Sequence, residues 1–149
     1  MKLPKSLFPM NEKEKILTGQ VCPYCNCETF LVSGKEIYGQ NSAFEGMYYR
    51  CIENFDHYVG TYKDNITSLG RLADKELRGY KMDGHSVFDP MWKTGPKIFS
   101  NQQKAYRWLS KQMNIPLQET HFGMFTIEQC KEAISKCKEY KKKYSGTIL

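Results

Sequence analysis

An α+β fold is predicted, with short antiparallel strands first and helices after, and three observations carry it. Candidate metal ligands fall in two clusters, Cys22-x2-Cys25 and Cys51-x5-His57. The residues around them, 21–62, have the alternation and turn residues of β structure. After Asn65 the apolar period lengthens to that of a helix.

The C-x2-C turn brings two thiolates and the intervening amides to one point, where a soft divalent ion can take both sulfurs. A structural zinc site needs four ligands and no open position, so the turn is incomplete alone. Cys51 and His57 complete it, in the manner of a zinc ribbon whose two turns clip together at strand ends. Cys27 competes with His57 for the fourth place. Cys22, Cys25 and Cys27 on one ion would strain the turn, so His57 is favoured. The metal is expected to be structural, because strands this few and short need closure to be stable.

Residues 1–20, with Pro4, Pro9 and the run NEKEK, form a flexible arm containing at most one helical turn. The zinc-ribbon β module covers 21–66. Thr29 to Val32 run as a strand, Ser33-Gly34 turn, and Glu36 to Tyr38 return antiparallel. Met47 to Arg50 lead into Cys51, and His57 to Tyr62 lead away. A helical module over 67–139 packs on the ribbon as a small bundle, and 140–149 form a basic tail. Leu69, Leu72, Ala73, Leu77 and Tyr80 keep helical spacing opposite a basic stripe of Arg71, Lys75, Arg78 and Lys81. Asp83-Gly84 breaks or kinks that helix, and Pro90 opens another after Asp89. Ser100 to Gln103 and Thr126 to Gln129 read as capping boxes. The first opens a helix ending before Ile115-Pro116, the second a helix to about Tyr140.

Composition narrows the function classes. Hydrophobic residues at 40% and aromatic residues at 13% suffice for a core, so wholesale disorder is excluded. No apolar run reaches the length of a membrane span and the N-terminal stretch lacks a signal-peptide core, so a cytoplasmic protein is expected. In that compartment thiols stay reduced, and six Cys read as metal ligands plus spare thiols. The formal charge of +6 suits a polyanionic partner. No acid–base pair, phosphate loop or nucleophile motif is present, so no enzyme is expected. Asp89 reads as a helix cap and His121 as a turn residue, so together with His85 they are not read as a nuclease cluster. Cys130 and Cys137 read as core positions of a helix, not as a second metal pair with His121.

The blocks CPYC, HYVGTYK, SLGRLADKELR, HSVFDPMW, KAYRWLSKQMNIP and HFGMF-x4-C resemble a phage- and prophage-associated family of zinc-finger-containing domains, from about Val21 to Cys137. The resemblance implies zinc and a phage setting, and no activity. Where that family carries a second Cys before its D-x-Y-V-G block, this chain has Phe55, which implies that His57 substitutes from two residues on. More distantly, the ribbon is similar to those of bacterial type I topoisomerases, which bind single-stranded DNA.

Two functions follow as expectations. One is a nucleic-acid-binding accessory protein, with single-stranded DNA favoured. Arg50, Lys63, Arg71, Lys75 and Arg78 would contact phosphates, and aromatic side chains such as Tyr58 and Tyr62 would stack on bases. The other is a protein-directed module, such as a phage inhibitor of a host defence or transcription machine. A continuous basic stripe with exposed Tyr marks the first, and an exposed apolar patch marks the second.

Overall fold

The computed structural model describes residues 10–43 and 45–148, with side chains to Tyr144; residues 1–9 of the expected N-terminal arm lie outside the described residues. The chain has the expected α+β composition, and it divides into two compact units, Met1–Asp74 and Lys75–Leu149.

In the first unit, helix α1 (Glu12–Leu17) is opened by Asn11, whose side chain accepts from the Glu14 amide. Strands β1 (Thr29–Ser33), β2 (Met47–Cys51) and β3 (Tyr58–Gly60) form one antiparallel sheet in the order β1-β2-β3. Thr29 pairs with Cys51 and Phe30 with Arg50, while Tyr49 pairs with Val59 and Arg50 with Tyr58. The period of two along each strand then sorts the side chains. Tyr49, Cys51 and Val59 turn to one face and join Cys22 and Leu72 in a small core. Phe30, Tyr48, Arg50 and Tyr58 turn to the other.

Glu36 to Tyr38 do not return as a strand. They belong to a short helix, α2 (Gly34–Tyr38), because Ser33 is extended into a helix start and Gly39, at φ +101°, ends it at once. The Gly34 amide donates to the Gly46 carbonyl at 2.9 Å, closing 34–46 as an excursion between β1 and β2.

The second unit begins with helix α3 (Lys75–Phe88). The helical spacing read from Leu69 onward is a coincidence of sheet-edge pairing. Leu69 donates to the Gly60 carbonyl, and Ala73 and Tyr58 exchange backbone hydrogen bonds, so 66–74 is committed to the sheet and Arg71 is not on the helix. Helix α3 also runs through Asp83-Gly84 without breaking. Gly84 is required there by space: a Cβ would lie 2.2 Å from Phe122 Cε1. Gly84→Ala is therefore expected to overpack this contact and destabilise the unit by about 1–3 kcal/mol, despite alanine's better helix propensity. Thermal unfolding checks it, at about 4–8 °C of Tm for each kcal/mol.

Helix α4 (Pro90–Lys93) starts at Pro90, but Asp89 gives it no side-chain cap; that carboxylate meets His85 Nδ1 at 3.2 Å instead. Helix α5 (Gln102–Met113) is capped by Asn101, one residue after the expected Ser100, through a 2.9 Å bond to the Lys104 amide. It ends at Asn114 in the left-handed region, as the Ile115-Pro116 stop requires. The Thr126–Gln129 capping box forms in both directions and opens α6 (Ile127–Ile148), which runs past Tyr140. Helix α6 packs along α3 and against α5. Phe88, Met91, Leu109, Phe122, Phe125, Cys130 and Cys137 are fully buried, and burial pushes the Cys137 thiol up to about 12. Cys130 and Cys137 are thus core residues, and among the described residues they join no metal-sized group with His121.

Candidate metal centre

Two turns build the site. In the first, the Asn26 amide donates to the Cys22 carbonyl and the Cys22 amide to the Cys27 carbonyl, closing 22–27 into a knuckle. Asn26 takes φ +55° to make it, a left-handed position that asparagine tolerates. The amides of Tyr24 and Cys25 point at Cys22 Sγ. In the second, the amides of Glu53 and Asn54 donate to Cys51 Sγ at 3.4 and 3.3 Å. Both turns therefore present the amides two and three residues after the leading Cys to its sulfur. In the first, the third residue on is the ligand Cys25. In the second, that place is taken by Asn54, and the ligand arrives from His57. Donor amides carry no side-chain signal, so this near-symmetry is invisible in the sequence until the turns are formed.

His57 is held for the task. Its carbonyl accepts from the Cys51 amide at 2.9 Å, and its amide donates to Asn54. It is 8% exposed, with the Tyr24 ring packed 4.3 Å from its own. His57 Nδ1 lies 3.4 Å from Cys22 Sγ and 3.6 Å from Cys25 Sγ. A tetrahedron with metal–sulfur distances of about 2.3 Å and metal–nitrogen distances of about 2.0–2.1 Å has S···N edges of about 3.5 Å. The donor atoms of Cys22, Cys25, Cys51 and His57 all lie within 4.8 Å of one another, so the set fits zinc in size and chemistry. Cys27 Sγ stands 3.2 Å from Cys51 Sγ, outside that foursome. It falls with Cys25 and Glu53 in a separate, more open group.

The thiols differ in proton affinity. Burial pushes Cys22 up, and burial together with the neighbouring Cys51 and Cys22 pushes Cys25 up to about 12. Burial also works against the Cys51 thiolate, but the Asn54 and Glu53 amides and the Cys27 and Cys25 thiols outweigh it and lower Cys51 to about 6. In the metal-free site the thiolate is thus favoured at Cys51 over Cys22 and Cys25. Zinc uptake near pH 7 should release protons, chiefly from Cys22 and Cys25, and affinity should fall as pH falls. Calorimetry in buffers of different ionisation enthalpy reads the proton count directly.

The expected nucleic-acid residues differ in exposure and are divided between the two units. Arg50 is buried: its guanidinium donates to the Glu36 carbonyl at 3.2 Å and lies 4.0 Å from the Phe55 ring centroid. Tyr58 is half-buried, edge-on to Tyr38 and Tyr48. Tyr62 and Lys63 are exposed in the turn after β3. Arg71 is half-buried in the sheet-edge segment, whereas Lys75 and Arg78 lie on the first turns of α3, in the other unit.

A family model described as a zinc-finger-containing domain matches residues 18–140, which spans both units. No curated protein and no solved structure matches the chain.

Proposed function

The chain belongs to the family of zinc-finger-containing domains, and from that premise we propose that it is a non-catalytic cytosolic accessory protein that binds nucleic acid. Zinc holds the described part of the first unit, within residues 10–74, in shape. The observation that carries the reading is the division of charge. Lys75–Leu149 has 14 Lys and Arg against 7 Asp and Glu, a formal +7, whereas Met1–Asp74 has 8 against 9, a formal −1. A surplus concentrated in one unit makes a local positive field, which an even spread of the same charge would not. The phosphate contacts are accordingly assigned to the helical unit, Lys75 and Arg78 included, rather than to the ribbon.

A protein-directed reading draws on the first unit. Phe55 is 60% and Ile52 47% exposed beside the second metal turn, with Phe30 and Leu31 also exposed on β1. These apolar side chains on a unit without net positive charge suit a protein partner, such as a host machine addressed by a phage-encoded modulator.

Fluorescence anisotropy of labelled single- and double-stranded oligonucleotides with zinc-loaded protein, across a salt series, separates the two. Nucleic-acid binding predicts a linear fall of log K with log salt. No binding at low salt overturns it and leaves the exposed apolar side chains of the first unit as the lead.

A further inference from the structure

The helical unit repeats one short pattern on two helices that touch. Helix α5 contains Lys104-x3-Trp108-x2-Lys111, and α6 contains Lys136-x3-Tyr140-x2-Lys143. On a helix, residues four before and three after a given position are its surface neighbours, so each aromatic side chain is bracketed by two lysines on its own helix. Where the helices pack, the two aromatics meet: the Trp108 and Tyr140 ring centroids are 4.8 Å apart. Phe99 supports both, 5.4 Å from Trp108 and stacked on Tyr140 at 6.0 Å, and Tyr144 continues the row 6.3 Å from Tyr140. A cleft opens at this junction, lined by Trp108, Gln112, Lys136, Glu139, Tyr140 and Lys143. Neither ring is sealed in: Trp108 and Tyr140 are half-buried, and Tyr144 is 41% exposed. Lys104, Lys111 and Lys143 are exposed and Lys136 half-buried. Glu139 is the one carboxylate in the lining.

We propose that this cleft is a binding site for single-stranded nucleic acid, with bases stacking along the Trp108–Tyr140–Tyr144 row and phosphates held by Lys136 and Lys143 of its lining and, where the strand passes over α5 outside the cleft, by Lys104 and Lys111. The inference rests on the nucleic-acid reading above and gives it a place.

Spacing, ring exposure and lining chemistry favour this occupant. Seven residues of helix separate the lysines of each pair, about 10 Å along the axis, which is the rise of about three stacked nucleotides. Aromatic faces accept any base and need it unpaired, whereas a duplex hides its base faces in the stack. An acidic protein segment would also satisfy the lysines, but the rings run as a row spaced 4.8 and 6.3 Å apart, a stacking platform rather than a single anchor pocket. Gln112, on the same helix face as Trp108, adds a donor and an acceptor that a base edge can use.

The test uses the zinc-loaded full chain and a labelled oligothymidylate. The two tryptophans are Trp92 and Trp108, so Trp92→Phe leaves Trp108 as the only indole reporter. The expected result is quenching of Trp108 on binding. Four phosphate contacts on a single strand give a salt slope of about −2.8, or about a 50-fold loss of affinity for a fourfold rise in salt. In the otherwise wild-type chain, the double variant Lys136→Ala/Lys143→Ala should halve that slope with helical circular dichroism unchanged. This arm stands even where Trp92→Phe does not fold. Oligonucleotide binding with undisturbed Trp108 and an unchanged slope in the double variant would overturn the cleft while leaving nucleic-acid binding elsewhere on the chain. Absence of binding at low salt would remove both. Equal binding of duplex and single strand, without quenching, also counts against the cleft.

Discussion

Cys51→Ser is expected to bind no stoichiometric zinc and to unfold Met1–Asp74 while α3, α5 and α6 stay helical. The reason lies in the cluster beside the metal site, where among the described residues Cys22, Cys51, Val59 and Leu72 are buried and Cys25, Cys27 and Tyr49 pack around them, with only the small Val32 and Ala73 as further buried apolar residues of the unit. Two of the four buried members are metal ligands, and no Phe, Ile or Trp is among them. A three-stranded sheet whose last strand spans only Tyr58–Gly60 adds little of its own. A structural zinc contributes about 10–16 kcal/mol of apparent binding free energy, which matches or exceeds the net stability of a typical whole domain at about 5–15 kcal/mol. Removing the ion removes most of what holds the strands. The helical unit has its own core of Phe88, Leu109, Phe122 and Phe125, so it is expected to stay folded. Limited proteolysis with metal analysis reads both halves: cuts should concentrate before residue 75, and a fragment of about the second unit should survive. A strong chelator should give the same pattern with the unmodified chain. A metal-free Cys51→Ser protein protected throughout residues 10–74 would refute the structural role of the ion.

The parts of this fold that are legible in the sequence are those set by local rules. Cys22, Cys25, Cys51 and His57 can be read because ligand chemistry and turn spacing are both local. The Thr126–Gln129 box can be read because Thr and Gln bond each other's backbone amides three residues apart. What cannot be read depends on partners distant in the chain. Leu69 to Ala73 mimic a helix, and only their pairing with Tyr58 and Gly60 reveals the sheet edge. Gly84 looks like a breaker until Phe122 is seen where its Cβ would go. Arg50 looks like a phosphate contact until Phe55 and the Glu36 carbonyl are found around it. The charge division is present in the residue counts, but it emerges only once the boundary after Asp74 is known. The two Lys-bracketed aromatics are likewise visible in sequence, yet nothing there says that Trp108 and Tyr140 meet.

The near-symmetry of the two metal turns leads to the second large effect. His57→Ala should weaken zinc binding by about 60-fold or more, since an even quarter share of about 10–16 kcal/mol is at least about 2.5 kcal/mol. Adding Asn54→Cys to that variant should restore much of the loss. Asn54 occupies the place in the second turn that Cys25 occupies in the first, three residues after a sulfur that takes the same pair of amides. A thiolate there would give an all-sulfur site without moving the backbone. The competing outcome is that Cys27, already 3.2 Å from Cys51 Sγ, swings in as the fourth ligand. Cys27→Ser settles it. With His57 as ligand, Cys27→Ser alone keeps full zinc affinity, and His57→Ala stays weak with or without Cys27. If Cys27→Ser alone loses the metal, the fourth ligand is Cys27 and His57 is a packed neighbour under Tyr24. Cobalt substitution adds an independent reading, because ligand-field bands shift as nitrogen is exchanged for sulfur. An Asn54→Cys/His57→Ala spectrum of all-sulfur type would place the new ligand in the turn that the amides of Glu53 and Asn54 define.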